Sequence, residues 1–158
     1  DNLGTPKNPD NPFYDMDEVF LDSGDEINPQ GAGWIDPGLG GFLSTLSNPD
    51  TTIWTSSQLW LDEVAANMGK HKVPTLRNVD ARPGKNFPKA FMHNGVFKSL
   101  KEVVHFYNTR DVPDAGWPPA EVADNVNTDE LGNLGLTDAE EDAIVAFMKT
   151  LTDGYFQP

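Results

Sequence analysis

Three prolines fall within seven residues near the start of the chain: Pro6, Pro9 and Pro12. Proline lacks a backbone N–H, and it pushes the residue before it out of the α region. That spacing bars a helix there, and residues 1–38 read as extended loop. The same punctuation runs through the molecule. With 13 Pro and 14 Gly in 158 residues, much of the chain must lie outside regular structure.

The regular structure that remains is helical. Gly38-Leu39-Gly40-Gly41 does not follow a strand pattern, so it is not a dinucleotide loop. Its glycines instead let a short helix at about 41–46 pack closely. Ser56 or Ser57 can cap a helix running to about Met68 and closed by Gly69. Leu59, Val64 and Met68 give it a partial apolar stripe, widened by Trp60 and Leu61. Ser99 caps a helix at 100–109 with Glu102 at the capping-box position. There Leu100, Val103, Val104 and Tyr107 share one face, and His105 lies off it. Thr137-x-x-Glu140 is a capping box, and Asp138, Glu140 and Glu141 suit the positive helix N-terminus. Ile144, Phe147, Met148 and Leu151 are the expected buried stripe of this last helix, with Gly154 at its end. No repeat and no alternating strand pairs are present. The expectation is an irregular all-α domain spanning 1–158, with a Pro-rich loop at 1–38 and a helical core at 56–153. Loops this long need something to organise around.

The formal charge is −14, which excludes a free-standing nucleic-acid binder. No apolar run approaches the roughly 20 residues of a membrane span. The charge is also segregated. Residues 70–110 hold nine of the 11 basic residues and only two acids, Asp80 and Glu102, a net of +7 against −21 elsewhere. Such a segment must face something anionic, either acidic parts of the chain or a ligand with carboxylates or phosphates.

Catalytic chemistry is narrowed by absences. With no cysteine, disulfides, thiolate metal sites, a Cys nucleophile and a haem attached covalently to this chain are excluded. Asp15-x-Asp17 starts like a calcium loop, but Val19 and Phe20 occupy the fifth and sixth places, so it is no EF-hand. His71, His93 and His105 lack zinc-helix spacing. Trp34, Trp54, Trp60 and Trp117 read as core. The block Val73-Pro74-Thr75-Leu76-Arg77-Asn78 differs, being a loop with an Arg among small and apolar residues. Phe91-Met92-His93-Asn94-Gly95 ends in a turn signal. Together they offer Arg, Met and His beside one short helix, a lining suited to a planar anionic cofactor.

These segments, with Leu-Lys-Glu-Val-Val-His-Phe-Tyr-Asn at 100–108, match a known family in order and spacing. They resemble the C-terminal haem domain of bacterial di-haem cytochrome c peroxidases, including the MauG-like branch. The stretches 136–147 and 149–152 resemble that domain's final helix. The family's Cys-x-x-Cys-His haem-attachment motif is missing and would lie just before Asp1. The resemblance therefore implies the downstream part of a haem domain, with haem c attached outside this chain by an upstream segment or a second polypeptide. It implies a periplasmic oxidoreductase that reduces hydrogen peroxide or uses it for oxidation, and an electron-donor protein or haem domain as partner. The alternative is a non-catalytic electron-transfer cytochrome c subunit. By position, Tyr107, fourteen residues past His93, is implied as the distal iron ligand, with Met92 as rival. Arg77 is implied to pair with haem propionates, and Thr75, Leu76, Phe91, Met92 and His93 to line the pocket. Calcium is implied through the backbone of Pro88 or Ala90, next to an insertion at 83–87.

Overall fold

The computed structural model describes residues 1–16, 22–24, 30–46, 57–82, 84 and 86–154. Most of the acidic stretch 15–26, the candidate cap Ser56, Trp54 and part of the 83–87 insertion lie outside them. Among the described residues the fold is all-α, as the pattern implies. It has four helices, α1 (Gly38–Thr45), α2 (Ser57–Ala66), α3 (Leu100–Thr109) and α4 (Asp138–Lys149). Two 3-10 turns, at Pro12–Asp15 and Gly31–Gly33, and three isolated bridges complete the inventory, with no strand. No helix of the described residues is long and apolar enough to cross a membrane. The chain divides into two compact units, Asp1–Lys72 with Pro118–Asn127, and Val73–Trp117 with Thr128–Pro158.

In the first unit the proline-rich start is irregular, yet it is firmly held. Asn2, Gly4, Thr5, Pro6 and Asn8 are buried. The Asn2 amide donates to the carbonyls of Val122 and Asp124 at 2.9 and 2.7 Å, and its oxygen accepts the Gly4 N–H. Glu121 ties two distant points together, accepting from the Tyr14 hydroxyl and from the Asp36 N–H, each at 2.8 Å. Phe13 meets Trp34 edge to face with centroids 4.5 Å apart. Polar side chains thus supply the anchorage that the few apolar residues cannot.

α1 begins at Gly38, earlier than its glycines suggest, and packs on α2. The expected close approach is present. Leu39 N–H donates to Lys70 O at 2.7 Å, and Gly40 N–H to Asn67 O at 2.9 Å. A Cβ on Gly40 would lie 2.6 Å from the Met68 nitrogen. α2 ends at Ala66, with Gly69 just beyond at φ +74°. Trp60 is buried, but Leu59 and Leu61 are exposed, so its buried line is narrower than the apolar pattern suggested.

The second unit is built on Phe91, Phe97, Leu100, Val104, Phe106, Val145 and Met148. α3 and α4 pack on each other. Both caps are as read. Ser99 Oγ accepts the Glu102 N–H, and Thr137 and Glu140 form a reciprocal capping box. The expected stripe of α4 is corrected. Met148 is buried, but Ile144 is 37% and Phe147 60% exposed, and the inward line is Glu141, Val145 and Met148. A carboxylate that finds three donors on α3 belongs inside, which hydrophobicity alone does not reveal. α4 also stops at Lys149 with Thr150 as its C-cap, short of Gly154.

Candidate functional site

α3 carries Tyr107 between two fully engaged neighbours. Phe106 is wholly buried, and Asn108 is buried and bonded three ways. The Asn108 amide donates to Leu136 O and to Glu141 Oε1 at 2.9 and 2.7 Å, and its oxygen accepts the Leu136 N–H at 2.9 Å. Gly132 and Leu134 N–H groups cap the carbonyls of Tyr107 and Asn108. The last turn of α3 is therefore clamped, and Tyr107 stands on a fixed backbone. Its ring is half-buried against the core. Its hydroxyl makes no hydrogen bond among the described residues. Burial raises its pKa above the ordinary phenol value, so the group is neutral near pH 7.

The turn after Phe91 is closed by Phe91 N–H to Phe97 O at 2.8 Å and Gly95 N–H to Met92 O at 3.3 Å. Asn94 Oδ1 accepts the Val96 N–H, and Lys98 Nζ donates to Gly95 O. Met92 sits at φ +68°. That left-handed region costs an L-residue with a long side chain roughly 1–2 kcal/mol. The cost is tolerated where packing over-determines the conformation, and Met92 packs half-buried against the core beside buried Phe91. His93 is exposed.

Residues 73–77 form an exposed loop, in which Thr75 Oγ1 accepts the Arg77 N–H at 3.3 Å. The loop is tethered at its end. Asn78 N–H donates to Leu151 O at 2.6 Å, and Asn78 Oδ1 accepts the Asp153 N–H. The Arg77 guanidinium has no ion-pair partner among the described residues. Leu76 is exposed, as are Pro88 and Ala90. The structure thus brings Tyr107, Phe91 and Met92 to one core. It leaves Thr75, Leu76, Arg77 and His93 on exposed loops of the same unit.

Sequence reading missed Glu141. Its side chain is nearly inaccessible, yet it meets Asn108, His105 Nδ1 at 2.9 Å and Lys101 Nζ at 3.1 Å. Burial alone would raise the carboxyl; the hydrogen bonds from Asn108, His105 and Lys101 outweigh it and hold the pKa at about 2. The signal was available in the i, i+4, i+7 series of Glu141, Val145 and Met148. An acid in a helix's first turn is more readily read as a dipole partner.

Comparison with known proteins adds a second kind of observation. The methylamine utilization protein MauG of Paracoccus denitrificans (strain Pd 1222) is 41% identical over 107 residues, covering 61% of this chain and 26% of that protein. Cytochrome-c peroxidase IdrP1 of Denitromonas iodatirespirans is 36% identical over 86 residues, 54% of this chain and 19% of that protein. The chain is a relative of MauG and the cytochrome-c peroxidases. Cytochrome-c peroxidase IdrP2 of Pseudomonas sp. (strain SCT) adds 33% identity over 86 residues. The family resemblance carried by the loop and helix motifs is borne out. This MauG-related chain spans about a quarter of MauG's length and about a fifth of the peroxidases'. No family model and no solved structure matches it.

Proposed function

We propose that residues 1–158 are the downstream part of one cytochrome c-like haem domain. That domain belongs to a periplasmic c-type haem oxidoreductase that reduces hydrogen peroxide or uses it for oxidation. The names of the relatives support the class of activity. The single observation carrying the site is the Tyr107 hydroxyl, which has no hydrogen-bond partner among the described residues although its backbone is clamped on both sides.

The donor set suits such a group. Tyr107 offers an oxygen ligand at the rim of an apolar core, Met92 a thioether as its rival, and Arg77 a guanidinium with no ion pair among the described residues. A planar guanidinium binds carboxylates in bidentate fashion, which fits Arg77 to haem propionates. Thr75, Leu76, Phe91 and His93 complete the lining, and the backbone of Pro88 or Ala90 offers carbonyls to a calcium ion. Haem, attached through Cys-x-x-Cys-His outside these residues, supplies the redox chemistry when bound. Ligation requires Tyr107 to release its Oη proton. Burial opposes that release, so the phenol stays protonated until a strong cation lies against it.

The test is a visible absorption spectrum of the native protein, with haem-stained denaturing electrophoresis. Haem carried by an associated or upstream segment is the expected result. A native protein without haem would overturn the reading.

A further inference from the structure

From Arg82 we infer an anion-binding site on the double turn 76–82, taking a carboxylate or phosphate group. The turn is closed by Val79 N–H to Leu76 O at 3.1 Å and Ala81 N–H to Asn78 O at 3.0 Å. Arg82 is fixed on it in a defined pose. Its Nη1 donates to Ala81 O at 2.7 Å and to Val79 O at 3.2 Å, and its guanidinium lies 5.0 Å from the centroid of the Phe91 ring. The side chain is half-buried. A guanidinium stays charged under all ordinary conditions, so taking it partly out of water calls for a counter-charge.

None is present among the described residues. There the hydrogen bonds of Arg82 go to neutral carbonyls, its ring contact is to Phe91, and it makes no ion pair. The acid nearest in sequence, Asp80, is held by Lys89 at 2.8 Å. The two carbonyls engage Nη1 only, which leaves Nε and Nη2 as a parallel pair of donors. That edge is the one that binds a carboxylate or phosphate in bidentate fashion. Arg77, on the same double turn, adds a second guanidinium without an ion-pair partner among the described residues. The net +7 of residues 70–110 favours any anion that approaches. The ring of Phe91 and the carbonyls hold the fork rigid, so little side-chain entropy is lost on binding.

Two sources can supply this chemistry, a porphyrin carboxylate or a free inorganic anion, and the experiment separates them. The full chain and its Arg82→Gln variant are titrated with iron(III) protoporphyrin IX, with the dimethyl ester of that porphyrin, and with inorganic phosphate. The wild type is expected to bind the diacid at least tenfold more tightly than the ester, with that preference collapsing in Arg82→Gln. This outcome makes the porphyrin carboxylate the ligand. A phosphate-dependent rise in melting temperature that disappears in Arg82→Gln makes it a free anion. Should Arg82→Gln fail to fold, the Arg82 Nε–H resonance of the wild type, assigned through Arg82→Lys, carries the test by moving on addition of phosphate or diacid. A resonance unmoved by both, or ester discrimination and phosphate response unchanged in Arg82→Gln, would overturn the site. The haem reading stands apart, because porphyrin binding indifferent to Arg82 refutes the anion site alone, and a phosphate response without porphyrin binding refutes only the porphyrin.

Discussion

Glu141 is 2% exposed and ionised, because three donors converge on it. Removing one member of a buried charged set leaves the others unpaired, which typically costs several kcal/mol. Glu141→Ala should therefore destabilise the protein by about 3 kcal/mol in urea denaturation, more than a surface acid would. Its depressed pKa also sets an acid limit. A carboxyl held at about 2 in the fold and near its ordinary value of 4.5 when unfolded stabilises fully above about pH 5. That contribution is lost as pH falls from there through 2. Melting temperatures measured between pH 5 and 2 should fall more steeply in the wild type than in Glu141→Gln. Tyr107 makes the opposite kind of statement, since its hydroxyl has no hydrogen bond among the described residues. Tyr107→Phe should change thermal stability by less than about 1 kcal/mol. In the haem-bearing protein it should convert a six-coordinate ferric spectrum to high spin and raise the reduction potential. A low-spin spectrum that survives the substitution would move the ligand role to Met92 or to a residue outside α3.

Among the elements, α1 is shaped by what it lacks. Gly40 puts its backbone against the Met68 main chain, where a Cβ would come within 2.6 Å of nitrogen and 2.7 Å of Cα. Alanine gains about 1 kcal/mol of helix propensity over glycine. Here the clash is with backbone, which cannot rotate away, and overpacking of this kind costs about 1–3 kcal/mol. Gly40→Ala should therefore lower the melting temperature, although the same change in an open helix would raise it. α3 and α4 are legible in sequence through their caps, since Ser99 and Thr137 satisfy backbone donors locally. What α4 buries is not legible that way. Ile144 and Phe147 carry the hydrophobicity, and Glu141 carries the partners.

For the molecule as a whole, charge is distributed unevenly. The unit Asp1–Lys72 with Pro118–Asn127 contains 14 acids and three bases, and the other unit 11 acids and eight bases. Self-repulsion in the first acts over distances comparable to the Debye length, about 10 Å at 0.1 M salt. Raising sodium chloride from about 0.02 to 0.3 M, a range across which screening tightens several-fold, should raise the melting temperature. A fall on adding salt would mean that attractive pairs such as Lys101 with Asp138 and Asp142 outweigh the repulsion.

The sequence by itself determined the class of structure and the similarity to MauG and to cytochrome-c peroxidases. Prolines and glycines act on their own residue's backbone, caps act within one turn, and helical periodicity acts within one element, so all three are readable without neighbours. The motifs at 73–78, 91–95 and 100–108 marked the segments whose resemblance led to those relatives. Tertiary structure decided the rest. Only folding brings Asn108, His105 and Lys101 to Glu141, residues 33 to 40 positions away in the chain, and turns an acid inward where periodicity put Ile144 and Phe147. Only folding places Glu121 between Tyr14 and Asp36, or the Arg82 guanidinium over Phe91. In each case a polar group's place depends on partners distant in sequence, because a buried charge is stable only where donors from other elements converge on it.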